Sequence, residues 1–177
     1  ELRELTISEV GAPRFLTTIA QLDSPVEDLG FAADLAESYE WTKDLGEATP
    51  VGVKSHRYLL REPAGVVGAI TPWNFPVTIP LEYLGPGLAT GNAVIAKPPE
   101  FTCWALLELA KAFDEAGVPK GLVSIIPGAG DIGSSLVQHP GVDAVGFTGS
   151  SATGRKIIAS MGIKRSIMEM SGNGPTI

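Results

Sequence analysis

Five short runs of β-branched and aliphatic residues constrain this chain more than any other feature. Each ends in a Gly, Pro, Asn or Ser cluster or at a carboxylate, and helix-length segments separate them. They are 65–71 (GVVGAIT), 92–97 (NAVIAK), 122–127 (LVSIIP), 143–148 (DAVGFT) and 165–169 (RSIME). Helices are predicted between them over about 76–90, 101–116, 131–138 and 151–160. A strand that is apolar throughout needs cover on both faces, and a helical crossover supplies it while returning the chain to lie parallel. The expectation is an α/β fold, a doubly wound parallel sheet with right-handed crossovers. In such sheets a ligand lies beyond the carboxyl ends of the strands, so the strand-end clusters are where chemistry is sought.

Residues 1–63 read differently. Leu2, Leu5 and Val10 suit a first helix. Ser24-Pro25-Val26-Glu27 combines a capping box with a proline at the first helical position, and Leu29, Ala33, Ala36 and Tyr39 carry a helical period to about Gly46. Residues 51–62 alternate Val51, Val53, Tyr58 and Leu60 with polar residues, a half-buried strand broken off by Pro63. The chain begins without Met inside a helical pattern and stops at 175–177, the start of another apolar run, so a portion of a longer protein is expected.

Charge narrows the partners. Thirteen Lys plus Arg against 20 Asp plus Glu give a net charge of −7 with no basic cluster, which argues against nucleic acid. The longest apolar runs, such as 64–71, are too short to cross a bilayer, and Glu1-Leu2-Arg3-Glu4 is not a signal-peptide start, so a soluble cytoplasmic protein is expected. Cys103 alone cannot form an internal disulfide, and His56 and His139 lack ligand spacing, so no metal is expected. Charged residues make up only 19% of the chain, where about 25% is usual. That excludes disorder and implies a large core or a surface covered by something else.

Four strand-end clusters carry candidate chemistry. Gly128-Ala129-Gly130-Asp131-Ile132-Gly133 fits G-x-G-x-x-G after a strand and before a helix, where backbone amides could receive a phosphate; Thr153 stands near where an acidic partner would be sought, and the glycines could equally serve only a tight turn. Lys97-Pro98-Pro99-Glu100 sets a cation and a carboxylate where a ribose could lie, or is a solvated pair in a stiff loop. In Thr71-Pro72-Trp73-Asn74-Phe75-Pro76, the Asn amide is the kind of donor that stabilises an oxyanion, or it forms an Asx turn. Met168-Glu169-Met170-Ser171-Gly172-Asn173 places one carboxylate between methionines, suited to a general base if the surroundings are apolar, or facing water.

Taken in order, residues 65–76, 97–100, 122–130 with 143–155, and 168–175 resemble the aldehyde dehydrogenase superfamily, over the whole chain and most specifically beyond Ala64. The resemblance implies a Rossmann-like cofactor-binding domain over 64–177, incomplete, preceded by an N-terminal helical segment with one bridging strand over 1–63, the catalytic domain being absent. It implies oxidation of an aldehyde to a carboxylic acid with NAD, or NADP, through a cysteine thioester. Asn74 resembles the oxyanion-hole amide and Glu169 the base that activates water. Lys97 and Glu100 resemble contacts to the adenosine ribose, and Thr71, Pro72 and Trp73 backbone contacts to the cofactor. Gly130 and Gly133 belong to the helix flanking the adenosine half. Ser150 resembles a pyrophosphate contact, Phe147 a neighbour of the nicotinamide pocket, and Met170 a main-chain neighbour of that ring. Tyr83 and its helix imply one wall of the aldehyde pocket, and residues 51–62 imply assembly into a homodimer or homotetramer.

There are departures. Met170-Ser171 stands where Leu-Gly is commoner, and Pro99 where a small polar residue is common. The family's nucleophilic cysteine follows the glutamate motif, beyond Ile177; Cys103 precedes a helical pattern and reads as a small buried residue. Two rival readings are an acylating enzyme that transfers the acyl group to coenzyme A, against which Glu169 argues, and a non-catalytic nucleotide-binding module.

Overall fold

The computed structural model describes residues 1–172. Asn173 to Pro175 of the glutamate motif and the apolar run at 175–177 lie outside the described residues.

The chain opens with three helices, α1 (Leu2–Val10), α2 (Arg14–Ile19) and α3 (Asp23–Ser38). Arg3 holds them together: its guanidinium donates to Thr17 Oγ1 at 2.9 Å and to both Asp23 carboxylate oxygens at 2.7 and 3.0 Å. The expected capping box does not form. Helix α3 starts at Asp23 with Leu22 as its N-cap and no side-chain cap, so Ser24 already lies in the first turn. Leu22 is buried in the core and Asp23 is engaged by Arg3, which fixes the start two residues early. Pro25, third in the helix, loses nothing there because first-turn N–H groups have no helical acceptor. The inward stripe also differs from the expected one. Gly85 meets Leu29 and Ala32, while Ala33 and Tyr39 are exposed.

Residues 42–48, expected to continue the helical segment, are a strand. β1 (Thr42–Ala48) pairs antiparallel with β2 (Ser55–Leu60), from Thr42 opposite Leu60 to Ala48 opposite Ser55, around a short 3-10 turn at Pro50–Gly52. The one bridging strand is therefore a two-stranded ribbon. Trp41 closes the helix end by donating from Nε1 to Ala36 O at 3.0 Å, and Gly46, at φ 71°, serves a bulge that a helix could not accommodate.

All five apolar runs become strands of one parallel sheet: β3 (Val66–Ile70), β4 (Ala93–Lys97), β5 (Val123–Ile125), β6 (Ala144–Gly149) and β7 (Arg165–Met170). The helices between them are α4 (Thr78–Ala89), α5 (Trp104–Glu115), α6 (Gly130–Gln138) and α7 (Ser151–Ser160). The spatial order is β5-β4-β3-β6-β7. The chain winds one way from β3 and then crosses to its other side, which makes the gap between β3 and β6 the topological switch point.

Pleating sends alternate residues of β3 to different cores. Ala69 joins Val77, Leu81, Leu84, Val94 and Leu106 under α4 and α5, whereas Ile70 joins Val137, Val145, Phe147 and Ile157 under α6 and α7. At the other end of the sheet, buried Asn92 accepts from Ala64 N and Gly65 N at 2.6 and 3.0 Å, and Asp143 Oδ2 accepts from Val66 N at 2.8 Å.

Candidate functional site

The segment leaving β3 is anchored from two sides. Thr71 N donates to Lys97 O at 3.2 Å, continuing the ladder past the end of the strands. The Asn74 carbonyl accepts from Gln21 Nε2 at 3.0 Å, and Thr78 Oγ1 donates to Ala20 O at 2.6 Å. The α2–α3 junction thus fixes the turn carrying Pro72, Trp73 and Asn74, and leaves Trp73 and Asn74 exposed to whatever enters the cleft.

A groove of about 610 Å³ opens beside this turn, lined by Ala20, Ser24, Asp28, Phe75, Thr78, Ile79, Glu82, Thr148 and Glu169. Glu169 lies in register with Thr148 across β6 and β7 and is exposed, so the apolar surroundings expected between two methionines are not what this carboxylate has. Its charge is still felt. Glu82 has its pKa raised by partial burial first and then by Asp28 and Glu169. Tyr83 has its pKa raised by burial, against its hydrogen bond with Thr148, with Glu169 and Glu82 adding to the rise. The expected wall residue Tyr83 does not line the groove; its hydroxyl pairs with Thr148 Oγ1 at 2.9 Å and its ring covers Gly146, where a Cβ would come within 2.4 Å.

On the other side of the switch point, a second groove of about 490 Å³ runs between α6 and α7. Ile70, Val137 and Ile157 form its apolar part, and Lys97, Ser134, Thr153 and Lys156 its polar part. Gly130 and Gly133 border it. A Cβ at Gly130 would meet nothing within 4 Å, and one at Gly133 would sit 3.6 Å from Lys97 Cδ. Lys97 is buried and donates from Nζ to Pro98 O at 2.9 Å and Gly128 O at 2.5 Å, tying the end of β4 to the turn before α6. Burial pushes its pKa down, and Glu100 and Asp131 partly restore it.

The remaining residues singled out from sequence are placed unevenly. Glu100 is exposed in the loop after β4 and is not part of the groove lining. Ser150 is the N-cap of α7, accepting from Thr153 N at 3.2 Å and donating to Thr153 Oγ1 at 3.0 Å. Phe147 is 3% exposed and belongs to the core; together with Met170 it closes on Gly154, where a Cβ would lie 2.4 Å from Met170 Sδ. Cys103 is buried, and burial together with Glu9 raises its pKa, the reverse of what a nucleophilic thiol needs.

Sequence reasoning missed Gln21, Asp28 and Glu82. Glu82 had a signal, since it lies four residues after Thr78 and three after Ile79 on one face of α4. Gln21 had none, because its role depends on the distant turn at Asn74.

Comparison with known proteins agrees with this architecture. The aldehyde dehydrogenase family profile matches residues 1–177. DhaS of Bacillus subtilis (strain 168) is 39% identical over 180 residues, covering 100% of this chain and 35% of its own length. The structure of Mycobacterium tuberculosis aldehyde dehydrogenase complexed with NAD+ superposes with a TM-score of 0.87 at 31% identity, over 96% of this chain and 35% of that one. PnpE in complex with nicotinamide adenine dinucleotide gives 0.88 at 32% identity, over 98% of this chain and 35% of that one. The chain therefore spans about a third of the length of these relatives. Matched along its entire length, and folded as its relatives are, this chain belongs to the aldehyde dehydrogenase family.

Proposed function

We propose that this chain is the cofactor-binding portion of an enzyme that oxidises an aldehyde to a carboxylic acid with NAD, through a thioester on a cysteine supplied from outside residues 1–177. The observation that carries this reading is the switch point itself, with Asn74 and Glu169 at strand ends on one side and the α6–α7 groove on the other.

The residues present fit the cofactor. An apolar slot with a polar rim suits a base and its ribose, and the absence of side chains at Gly130 and Gly133 keeps it open. Lys97 and Glu100 would hold the adenosine ribose, with Glu100 disfavouring a 2′-phosphate and so NADP. Ser150 would meet the pyrophosphate at the start of α7. The backbone of Thr71, Pro72 and Trp73 would run along the cofactor, and Met170 and the buried Phe147 would shape the nicotinamide end. When bound, NAD supplies a two-electron acceptor.

The chain's own residues then have separate tasks. The Asn74 amide donates to the oxygen that becomes negative as the thiolate adds to the aldehyde. Gln21 and Thr71 keep that turn in place before substrate arrives. Glu169 takes a proton from the water that cleaves the thioester. Residues 1–63 and 64–177 form the two parts proposed here, the first bracing the turn and presenting the β1–β2 ribbon as an assembly surface for a homodimer or homotetramer. The free, buried Cys103 suits a reducing compartment such as the cytoplasm.

The test is aldehyde-dependent NADH formation by the full-length protein. Glu169→Gln is expected to keep a first-turnover burst while steady-state turnover falls by about 10²–10⁴. Asn74→Ala is expected to lower kcat by about 10²–10³ with the burst lost as well. No NADH formation with short aliphatic, aromatic or semialdehyde substrates would overturn the reading.

A further inference from the structure

Buried polar atoms that find no partner are rare in a folded chain, and each calls for a reason. Among the described residues three side-chain atoms are in that position: Gln21 Oε1, Thr71 Oγ1 and Thr102 Oγ1. Two of them belong to the residues that anchor the turn carrying Asn74. Thr71 does so through its backbone, donating from N to Lys97 O at 3.2 Å, and Gln21 through its side chain, donating from Nε2 to Asn74 O at 3.0 Å.

Gln21 is 4% exposed and lines neither groove of the switch point. It is held on several sides: its own N donates to Leu16 O at 2.9 Å, the next residue Leu22 is in the core, and Ala20 O before it accepts from Thr78 Oγ1 at 2.6 Å. Its amide is therefore buried with only the donor half served. Stability gains little from that arrangement. The carbonyl that Gln21 serves belongs to Asn74, an exposed residue that solvent can reach, whereas Gln21 Oε1 has given up its hydration with no protein donor in return. Methionine has the same reach and no strongly polar atom to strand. What methionine lacks is the N–H that orients the Asn74–Phe75 peptide. With that carbonyl pinned, Phe75 O accepting from Ile79 N at 3.3 Å and the φ of Pro72 fixed by its ring, the Cα–Cβ bond of Asn74 is aimed in advance.

We infer that Gln21 is a positioning residue for the oxyanion step, kept at a cost in stability: its buried amide orients the Asn74 peptide, and through it the Asn74 side chain, toward the oxygen that becomes negative as the thiolate adds. The inference rests on the dehydrogenase reading above and adds to it a residue that acts only through another.

Gln21→Met in the full-length protein separates this role from packing. NADH formation in the first turnover, followed by stopped flow, is expected to slow by about tenfold or more, with the aldehyde KM and the NAD affinity within about twofold and the thermal midpoint unchanged or raised. A double-variant cycle gives the sharper readout. Added to Asn74→Ala, Gln21→Met is expected to slow the first turnover by no more than about twofold further, because no amide is left to aim. A lowered thermal midpoint or a failure to fold, an unchanged first turnover, or an undiminished loss on top of Asn74→Ala would each overturn the inference and leave the dehydrogenase reading intact. That reading is decided by the wild type: no NADH from any aldehyde removes the reaction, and the positioning role with it.

Discussion

Gly65 shows how much one residue can be asked to do. Its φ of 118° is open only to glycine, and a Cβ there would come within 2.2 Å of Asp143 Oδ2, the atom that accepts from Val66 N. Gly65→Ala therefore combines backbone strain with loss of that bond, and is expected to cost about 2–4 kcal/mol, read as a lower thermal midpoint of the full-length protein. A shift within error would mean that Asp143 can withdraw without consequence. At this scale the sequence shows which residues stand at strand ends, though not which of them share a groove. Lys97, Gly130 and Gly133 come together because strand ends converge, and convergence follows from the strand pattern alone. Gln21, Asp28 and Glu82 stayed hidden, since their positions depend on how α2, α3 and α4 lie against the turn at Asn74, which no local spacing encodes.

Among elements, the tie made by Lys97 matters most. β5 is only three residues long, and the turn before α6 is tied to the end of β4 by the bond from Lys97 Nζ to Gly128 O, beside the bond that Nζ makes to Pro98 O. Lys97→Met should leave both carbonyls short of a charged donor, lowering stability by about 1–3 kcal/mol and weakening NAD binding measured by titration. The pH dependence has a definite sign. Burial holds the folded pKa of Lys97 below 10.5, so the unfolded chain binds more protons just below that value and stability rises with pH across this window. The variant should lack this rise. Undiminished NAD affinity in Lys97→Met would separate the tie from the cofactor site. Elements were legible where the apolar period was long, as in the five sheet strands. They were not legible at β1, where Thr42 to Ala48 carry no apolar alternation and become a strand only because β2 pairs with them, nor at α3, where Arg3 and the core outvote a local capping signal.

For the molecule as a whole, one sheet divides two apolar cores, and β3 belongs to both. Hydrogen exchange of the full-length protein should therefore find amides of β3 and β4 protected at least about tenfold more than those of short β5 or of α1. Equal protection at β5 would show that the sheet opens as one unit. The same strand order has a consequence for synthesis. β3 finds β4 soon after both emerge, but its opposite edge pairs with β6, from Val67 alongside Ala144, and so must wait for α4, β4, α5, β5 and α6 to be translated. At about 5–20 residues per second, that wait is roughly 4–15 s. During it, an unpaired aliphatic edge, Val66 to Ile70, faces the crowded surface of a polysome, where the nearest equivalent edge belongs to the nascent chain on the next ribosome. Slowing translation between β5 and β6 would lengthen that exposure, and yield of this protein in cells should respond to the pace of decoding there more than to anything downstream.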